Sequence, residues 1–421
     1  MKKKKILFIV THAVIFKGFF QSEIKSLSKM YDIYILVSKY GFDNIDFSKK
    51  QNIWFNDLEN KNIVKKIFFL DQISYSNFYQ SLTFNKKFIC ILRKIKSLDI
   101  DIFLFPNRTS YWEEILFEFF KKKQIFCYLT NPPSGLDLFN NFKNLSKSIK
   151  NKRIYKTFTI KSDNTKLHLL NTRQLSNSNF FYFIFQKINI FFSKLINHYF
   201  MPLLLIKKII NLNSIYYQLN LNFLSYSKII IFNSEFKIFL KKIISYKNNK
   251  VYFCSKNFKK RKRKNYDWLF TYSSNDKKFL SKLFKYLLIL KKLNKLDKIY
   301  FKGHPTWKHL SIEQNYFDLL KKNGVKFKKL DPFNSINYSN YYGLISAPSS
   351  VILEANYNCP DIKIIGIKKN KNLISGLLYK FYNNHKKITW EPSFKSLKFY
   401  LKNDYKIQTK NLNLQNLFSK F

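Results

Sequence analysis

The sequence predicts an α/β chain with two Rossmann-like parallel-sheet domains facing a cleft and a helical insertion in the middle. Three observations carry this expectation. Apolar runs of strand length alternate with helical patterns over the first ~135 residues and again from about 250 to 390, as βαβ units require. The loop Thr130-Asn131-Pro132-Pro133-Ser134-Gly135 breaks the first series. In the second series, two strand-like runs end in Gly303-His304-Pro305 and in Ser346-Ala347-Pro348-Ser349-Ser350. The carboxyl edge of an open parallel sheet is where ligands bind.

In chain order, Ile6–Val10 reads as a strand, Gly18–Met30 as a helix and Tyr31–Val37 as a second strand. Strands follow at Lys66–Leu70, Ile100–Phe105 and Gln124–Leu129, with the amphipathic stretch Trp112–Lys122 between the last two. Regular α/β character resumes with strand Ser227–Phe232, helix Phe236–Ile244 and the short strand Val251–Cys254, ahead of the second unit. Strand Trp268–Thr271 leads into Tyr272-Ser273-Ser274-Asn275-Asp276, which can cap a helix over Phe279–Leu290. Then come strands Lys298–Lys302, Val325–Leu330 and Tyr342–Ser346, helix Val351–Tyr357, and Ile362–Ile367 as the last strand. The expected domains are an N-terminal unit over 1–140, a helical aromatic and basic insertion over 141–226, and the last N-terminal elements over 227–250. A C-terminal unit over 251–390 and a helical tail over 391–421 complete the chain.

Composition bounds the function. The chain has 421 residues, 46% of them hydrophobic, so it can bury two or three cores. The formal charge is +51, yet only Arg93, Arg108, Arg153, Arg173, Arg261 and Arg263 are arginines. Nucleic-acid readers favour arginine for bidentate contacts. Lysine-rich, Gly-poor and Pro-poor usage points to an AT-rich genome rather than to nucleic-acid binding. A basic surface is also drawn to anionic membrane. Two segments suit such contact: the aromatic clusters Phe180–Phe185, Ile188–Phe192 and Tyr199–Ile206, with Lys187, Lys194, Lys207 and Lys208, and the run Lys259-Lys260-Arg261-Lys262-Arg263-Lys264. The plain alternatives are helices packed on the first domain and a solvated loop.

Cys90, Cys127, Cys254 and Cys359 are scattered, which suits a reducing compartment and indicates neither disulfides nor a zinc site. Lys2–Lys5 followed by Ile6–Val10 is too short an apolar core for a signal peptide. The expected location is cytoplasmic, at the inner face of the cytoplasmic membrane if the basic segments engage it.

The pair Lys302-Gly303-His304-Pro305 and Ala347-Pro348-Ser349-Ser350-Val351-Ile352-Leu353-Glu354-Ala355 resembles the His-Pro and Ser-Ser/Thr motifs of bacterial sialyltransferases and related capsule or lipopolysaccharide transferases of GT-B architecture. CDP-glycerol-using polymerases show similar pairs. The resemblance implies that His304, with Pro305 fixing the turn, contacts a donor phosphate, and that Ser349 and Ser350 donate to the same phosphate. Ser273 and Ser274 are further phosphate contacts. Glu354 either holds the donor's ribose or base or faces solvent. A helix N-terminus suits a phosphate on physical grounds as well. The alternatives are a structural strand-end histidine and ordinary N-capping serines.

The acidic motif of those sialyltransferases is missing from the first domain. His12 is the first candidate for the general base, followed by Glu113, Glu114 and Asp137. No DxD-like pair stands at a strand end, so the expectation is a metal-independent inverting glycosyltransferase without cofactor. A nucleotide-sugar donor would be its co-substrate, and its acceptor a surface polysaccharide or lipid-linked glycan. The alternatives are polyol-phosphate transfer from a CDP-linked donor, or a non-catalytic basic protein binding membrane or nucleic acid.

Overall fold

The computed structural model describes residues 3–11, 13–38, 45–70, 78–107, 111–130, 132, 141, 143–144, 222–233, 235–236, 240, 249–256, 265–272, 277–303, 311–331, 335–368, 376–403 and 412–421. Most of the expected 141–226 insertion and the basic run 259–264 lie outside them.

The first sheet has seven parallel strands in the order β3-β2-β1-β4-β5-β6-β7. Its strands are β1 Lys5–Val10, β2 Asp32–Ser38, β3 Lys66–Leu70, β4 Ile102–Phe105, β5 Gln124–Leu129, β6 Lys228–Ile231 and β7 Lys250–Phe253. Helices α1 Ala13–Leu27, α2 Ile45–Asn60, α3 Phe78–Ser97 and α4 Tyr111–Phe120 connect the first five. Ile6 through Val10 are all fully buried, because a parallel sheet covered on both faces leaves a central strand no wet side.

The second sheet has six parallel strands in the order β10-β9-β8-β11-β12-β13. These are β8 Asp267–Tyr272, β9 Lys298–Gly303, β10 Lys326–Lys329, β11 Gly343–Ser346, β12 Lys363–Gly366 and β13 Ile388–Trp390. Its helices are α5 Lys277–Lys292, α6 Ser311–Lys322, α7 Ser350–Asn358 and α8 Gly376–Asn383, followed by α9 Phe394–Lys402 and α10 Leu414–Phe418. The two-sheet architecture expected from the sequence is present.

Three details differ from the sequence reading. Ile362–Ile367 is not the last strand, because Ile388–Trp390 pairs beyond it at the sheet edge; three residues are too few to register as a strand pattern. β7 pairs with β6, so the expected boundary at 250/251 falls inside a strand of the first sheet. Helices α2, α3, α6 and α8 had no assignment. Of these, α3 buries Phe88, Ile91, Leu92 and Ile95, a helical spacing that strand-like runs on either side obscure.

Alternation of side chains divides the second sheet. Trp268, Phe270, Ile345 and Ile365 pack with Leu287 of α5, Leu320 of α6 and Leu397 of α9. Leu269, Leu344 and Ile364 point the other way, onto Leu353 of α7 and Leu377 of α8, and this core is continuous with that of the first sheet. Gly343 stands beside Trp268 in register, and a Cβ there would collide with the indole. Lys363 is buried at the end of α9, where its ammonium donates to the Tyr400 carbonyl (3.3 Å) and to that of Asn403. A cation there satisfies carbonyls left open at the helix C-terminus.

The two units meet along several contacts. Tyr357 of α7 packs against Phe19 of α1 (5.5 Å between centroids) and Phe232 (5.0 Å). Phe236 packs on Phe381 of α8. Finally α10 returns to the first domain, where Gln415 donates to the Ser26 carbonyl and Phe418 packs on Tyr31 and Phe126.

His385 belongs to this junction, buried with Nε2 3.3 Å from Asn233 Nδ2. Burial, with Lys387 beside it, pulls its pKa from 6.5 to about 4. As pH falls the unfolded chain takes up the proton first, so this group's contribution is complete above pH 6.5 and is lost between 6.5 and about 4. Urea titrations across that window should show up to about 3 kcal/mol of stability lost to this group. His385→Gln should flatten the slope; an unchanged slope would argue against a buried neutral imidazole.

Candidate functional site

In each sheet the strand order reverses direction once, between β1 and β4 in the first and between β8 and β11 in the second. The crevice at such a switch point is where an open α/β sheet accommodates a ligand. In the second sheet it is lined with hydroxyls. Thr271 lies one residue before the end of β8 and Ser346 ends β11, and they are register partners. Thr271 Oγ1 donates to Ser346 Oγ at 2.8 Å, both side chains being buried. Ser346 Oγ also lies 3.2 Å from Ser349 Oγ and donates to the Ala347 carbonyl (2.9 Å).

Ser349 is the N-cap residue of α7 in extended backbone, yet its hydroxyl makes no capping hydrogen bond. Ordinary N-capping, one alternative for this serine, is therefore not its role. The Pro348-Ser349-Ser350 turn is half-buried, so the first N–H groups of α7 stand at the switch point with no Ser349 hydroxyl across them. That end carries a partial positive charge.

Four residues into α7, Glu354 neither faces open solvent nor lies among the hydroxyls. Its carboxyl group rests on the backbone of α1 at Gly18, where a Cβ would collide with it. Asn358, one turn further along α7, donates from Nδ2 to the Gly18 carbonyl at 2.9 Å. The buried Tyr338 hydroxyl has no partner at hydrogen-bond geometry among the described residues; the Glu354 carboxyl is the group it faces. Burial raises the Glu354 pKa to about 7, opposed by Tyr338, Lys302 and Lys256. Lys302, the residue before Gly303-His304, is brought down to about 8 by burial; Glu354 and Asp331 counteract this and Lys17 adds to it.

A second ionic cluster adjoins the first. Burial raises the Glu23 pKa against the pull of Lys256 and a hydrogen bond from Tyr357. Burial likewise lowers Lys256, against Glu23 and Glu354. The Lys256 ammonium donates to Asn358 Oδ1 and lies 5.2 Å over the Tyr357 ring. Charges held this way at a domain junction recur at functional sites.

The structure therefore brings Ser349, Ser350 and Glu354 onto one helix between the two sheets. His304, Pro305, Ser273, Ser274 and His12 lie outside the described residues, as do Asp137 and the side chain of Glu114. Glu113 is fully buried in the first turn of α4 and close to Tyr128, whose hydroxyl donates to the Ile9 carbonyl at 2.7 Å. Among the described residues no group of three His, Cys, Asp or Glu side chains could hold a metal ion. Sequence reasoning missed Thr271, Tyr338 and the Glu23–Lys256 pair. The strand-end position of Thr271 was a signal, but its partner appears only with the strand order.

No protein-family model matches the chain, and no curated protein matches it. Solved structures do. A kitacinnamycin glycotransferase overlays with a TM-score of 0.49 at 7% identity, over 96% of this chain and 90% of its own. A glycosyltransferase from Rickettsia africae gives 0.45 at 13% identity, over 96% and 88%. A Medicago truncatula protein complexed with UDP-glucose gives 0.46 at 12%, over 99% and 93%. Likenesses this distant carry no argument about what the chain does; that rests on its own residues.

The Gly18–Glu354 contact makes a sign-changing prediction. Gly18→Ala should cost about 1–3 kcal/mol through overpacking against the carboxyl group. With Glu354→Ala already present, the same change should instead stabilise by about 1 kcal/mol, the propensity difference inside a helix. Denaturant melts of the four proteins in this cycle measure it, and a destabilising Gly18→Ala in both backgrounds would refute the contact. The raised Glu354 pKa adds a pH signature. The unfolded chain loses this proton first as pH rises, so the group's stabilisation is present below its ordinary 4.5 and lost by about 7. Glu354→Gln should abolish that loss; a variant with the parent's pH dependence would show that Glu354 titrates normally.

Proposed function

We propose that the chain is a glycosyltransferase that takes a sugar from a nucleotide-activated donor, held at the second sheet, and passes it with inversion to an acceptor presented by the first. One observation carries the reading: the Thr271–Ser346–Ser349 hydroxyl chain at the switch point, ending at an α7 N-terminus that Ser349 does not cap. Hydroxyls and free N–H groups converging on one crevice suit a phosphate. Burial keeps Thr271 and Ser346 from being reorganised by solvent.

In this reading the donor phosphate sits at the start of α7, with Ser349 and Ser350 donating to it and Ser273 and Ser274 as further contacts. Lys302 supplies a cation behind it. The His-Pro turn brings His304 to the leaving phosphate, where an imidazole donates a hydrogen bond or a proton as the anomeric bond breaks. The acceptor hydroxyl attacks the opposite face of the anomeric carbon. Its proton goes to a base of the first domain, with His12 the first candidate; Glu113, fully buried, is not open to an acceptor. The nucleotide leaves with the bonding electrons, a chemistry requiring no resident cofactor. A CMP-linked donor and a surface-polysaccharide or lipid-linked acceptor follow from the motif resemblance; work at the inner face of the cytoplasmic membrane follows from the basic and aromatic segments.

Thermal-shift titration with CMP, CDP, UDP and GDP tests the donor assignment. One nucleotide should raise the melting temperature, and Ser349→Ala with Ser350→Ala should weaken its binding about tenfold or more, the scale of hydrogen bonds to a charged group. His304→Ala should abolish transfer in a protein that still melts cooperatively. If no nucleotide stabilises the protein, the donor site is not where we place it.

A further inference from the structure

We propose that the outward face of α9 is a docking surface for an anionic lipid membrane, a role independent of the transfer reaction. Leu397, Tyr400 and Leu401 turn inward and are buried against the second sheet. Phe399, 72% exposed, stands on the opposite face among the exposed Lys395, Lys398 and Lys402, and Phe394, 44% exposed, borders that face at the start of the helix. At 100° per residue the three lysines form one stripe with a phenylalanine on each side. The helix contains no acidic residue.

Two phenylalanines in water on one short helix are costly unless something covers them. Their neighbours identify what fits. Lysine stems lie along apolar surface while the ammonium groups reach outward, the arrangement that suits a headgroup layer over acyl chains. The basic field extends beyond α9. Lys282 of α5 pairs with Glu391, just ahead of α9, at 2.6 Å, which sets α5 alongside, with Lys285 and Lys292 exposed on it. A second copy of this face would oppose lysine to lysine. Nucleic acid would leave the aromatic pair without apolar cover, and α9 has no arginine. An anionic bilayer satisfies both features. Docking rather than spanning is the mode, since no helix among the described residues is long and apolar enough to cross a membrane.

Because the whole chain is strongly basic, the test must read insertion as well as adhesion. The full-length protein is mixed with vesicles of phosphatidylcholine alone or with phosphatidylglycerol added. Sedimentation should require the anionic lipid and weaken with salt. Phe399→Trp should shift its added fluorescence to the blue on those vesicles and be quenched by brominated acyl chains. Phe394→Ser with Phe399→Ser should lower the partition coefficient about tenfold or more without changing the melting temperature. Changing Lys395, Lys398 or Lys402 to Gln should lower it about fivefold each. The proposal is overturned if the added fluorescence of the Phe399→Trp variant is neither shifted nor quenched, or if the double Ser variant partitions like its parent. It is equally overturned if that double variant converts a dimer to a monomer, or if RNA binding falls with vesicle binding.

Discussion

The junction between the sheets depends on a missing side chain. Gly18 leaves bare backbone on α1, and the Glu354 carboxyl group of α7 occupies that space. Asn358 fastens the same point by donating to the Gly18 carbonyl, and Tyr357 packs its ring on Phe19. The Glu354 carboxyl reaches this position on α1 because Gly18 has no Cβ to exclude it. Because α7 begins at the switch-point hydroxyls and ends on α1, the geometry of this contact sets the position of the proposed donor site relative to the first sheet.

The same contact explains why the junction is rich in perturbed charge. Placing Glu354, Glu23, Lys256 and Lys302 where the helices converge removes water from all four, and burial is the leading cause of every one of their pKa shifts. Opposite charges offset part of that cost, but buried ion pairs are weak contributors to stability. Glu354 loses its stabilising effect as pH rises and His385 loses its own as pH falls. The two slopes oppose each other, so the parent's response is flatter than either group alone would make it.

Much of the fold was readable in the sequence because parallel strands covered on both faces are written as unbroken apolar runs. Ile6–Val10, Lys66–Leu70 and Gln124–Leu129 all stand out in this way. Elements with weaker patterns did not: α2 is largely polar, and β13 has three residues whose pairing with β12 depends on sheet geometry. At the site, Ser349 and Ser350 were legible from their turn chemistry. The role of Glu354 was not, since its partner Gly18 lies on the other domain, with Asn358 and Gly18 separated by 340 positions.

By itself, then, the sequence determined the class of fold, every strand of the two sheets but β13, and the small polar turn at the start of α7. These are local matters, encoded in hydrophobic runs, breakers and residue size. The tertiary structure alone decided which strand ends are neighbours, that Thr271 meets Ser346, and that Glu354 faces α1. It also decided that Phe394 and Phe399 stay exposed on either side of the lysine stripe, since Leu397, Tyr400 and Leu401 claim the inward face. Such pairings depend on strand order and domain packing, which local pattern does not specify.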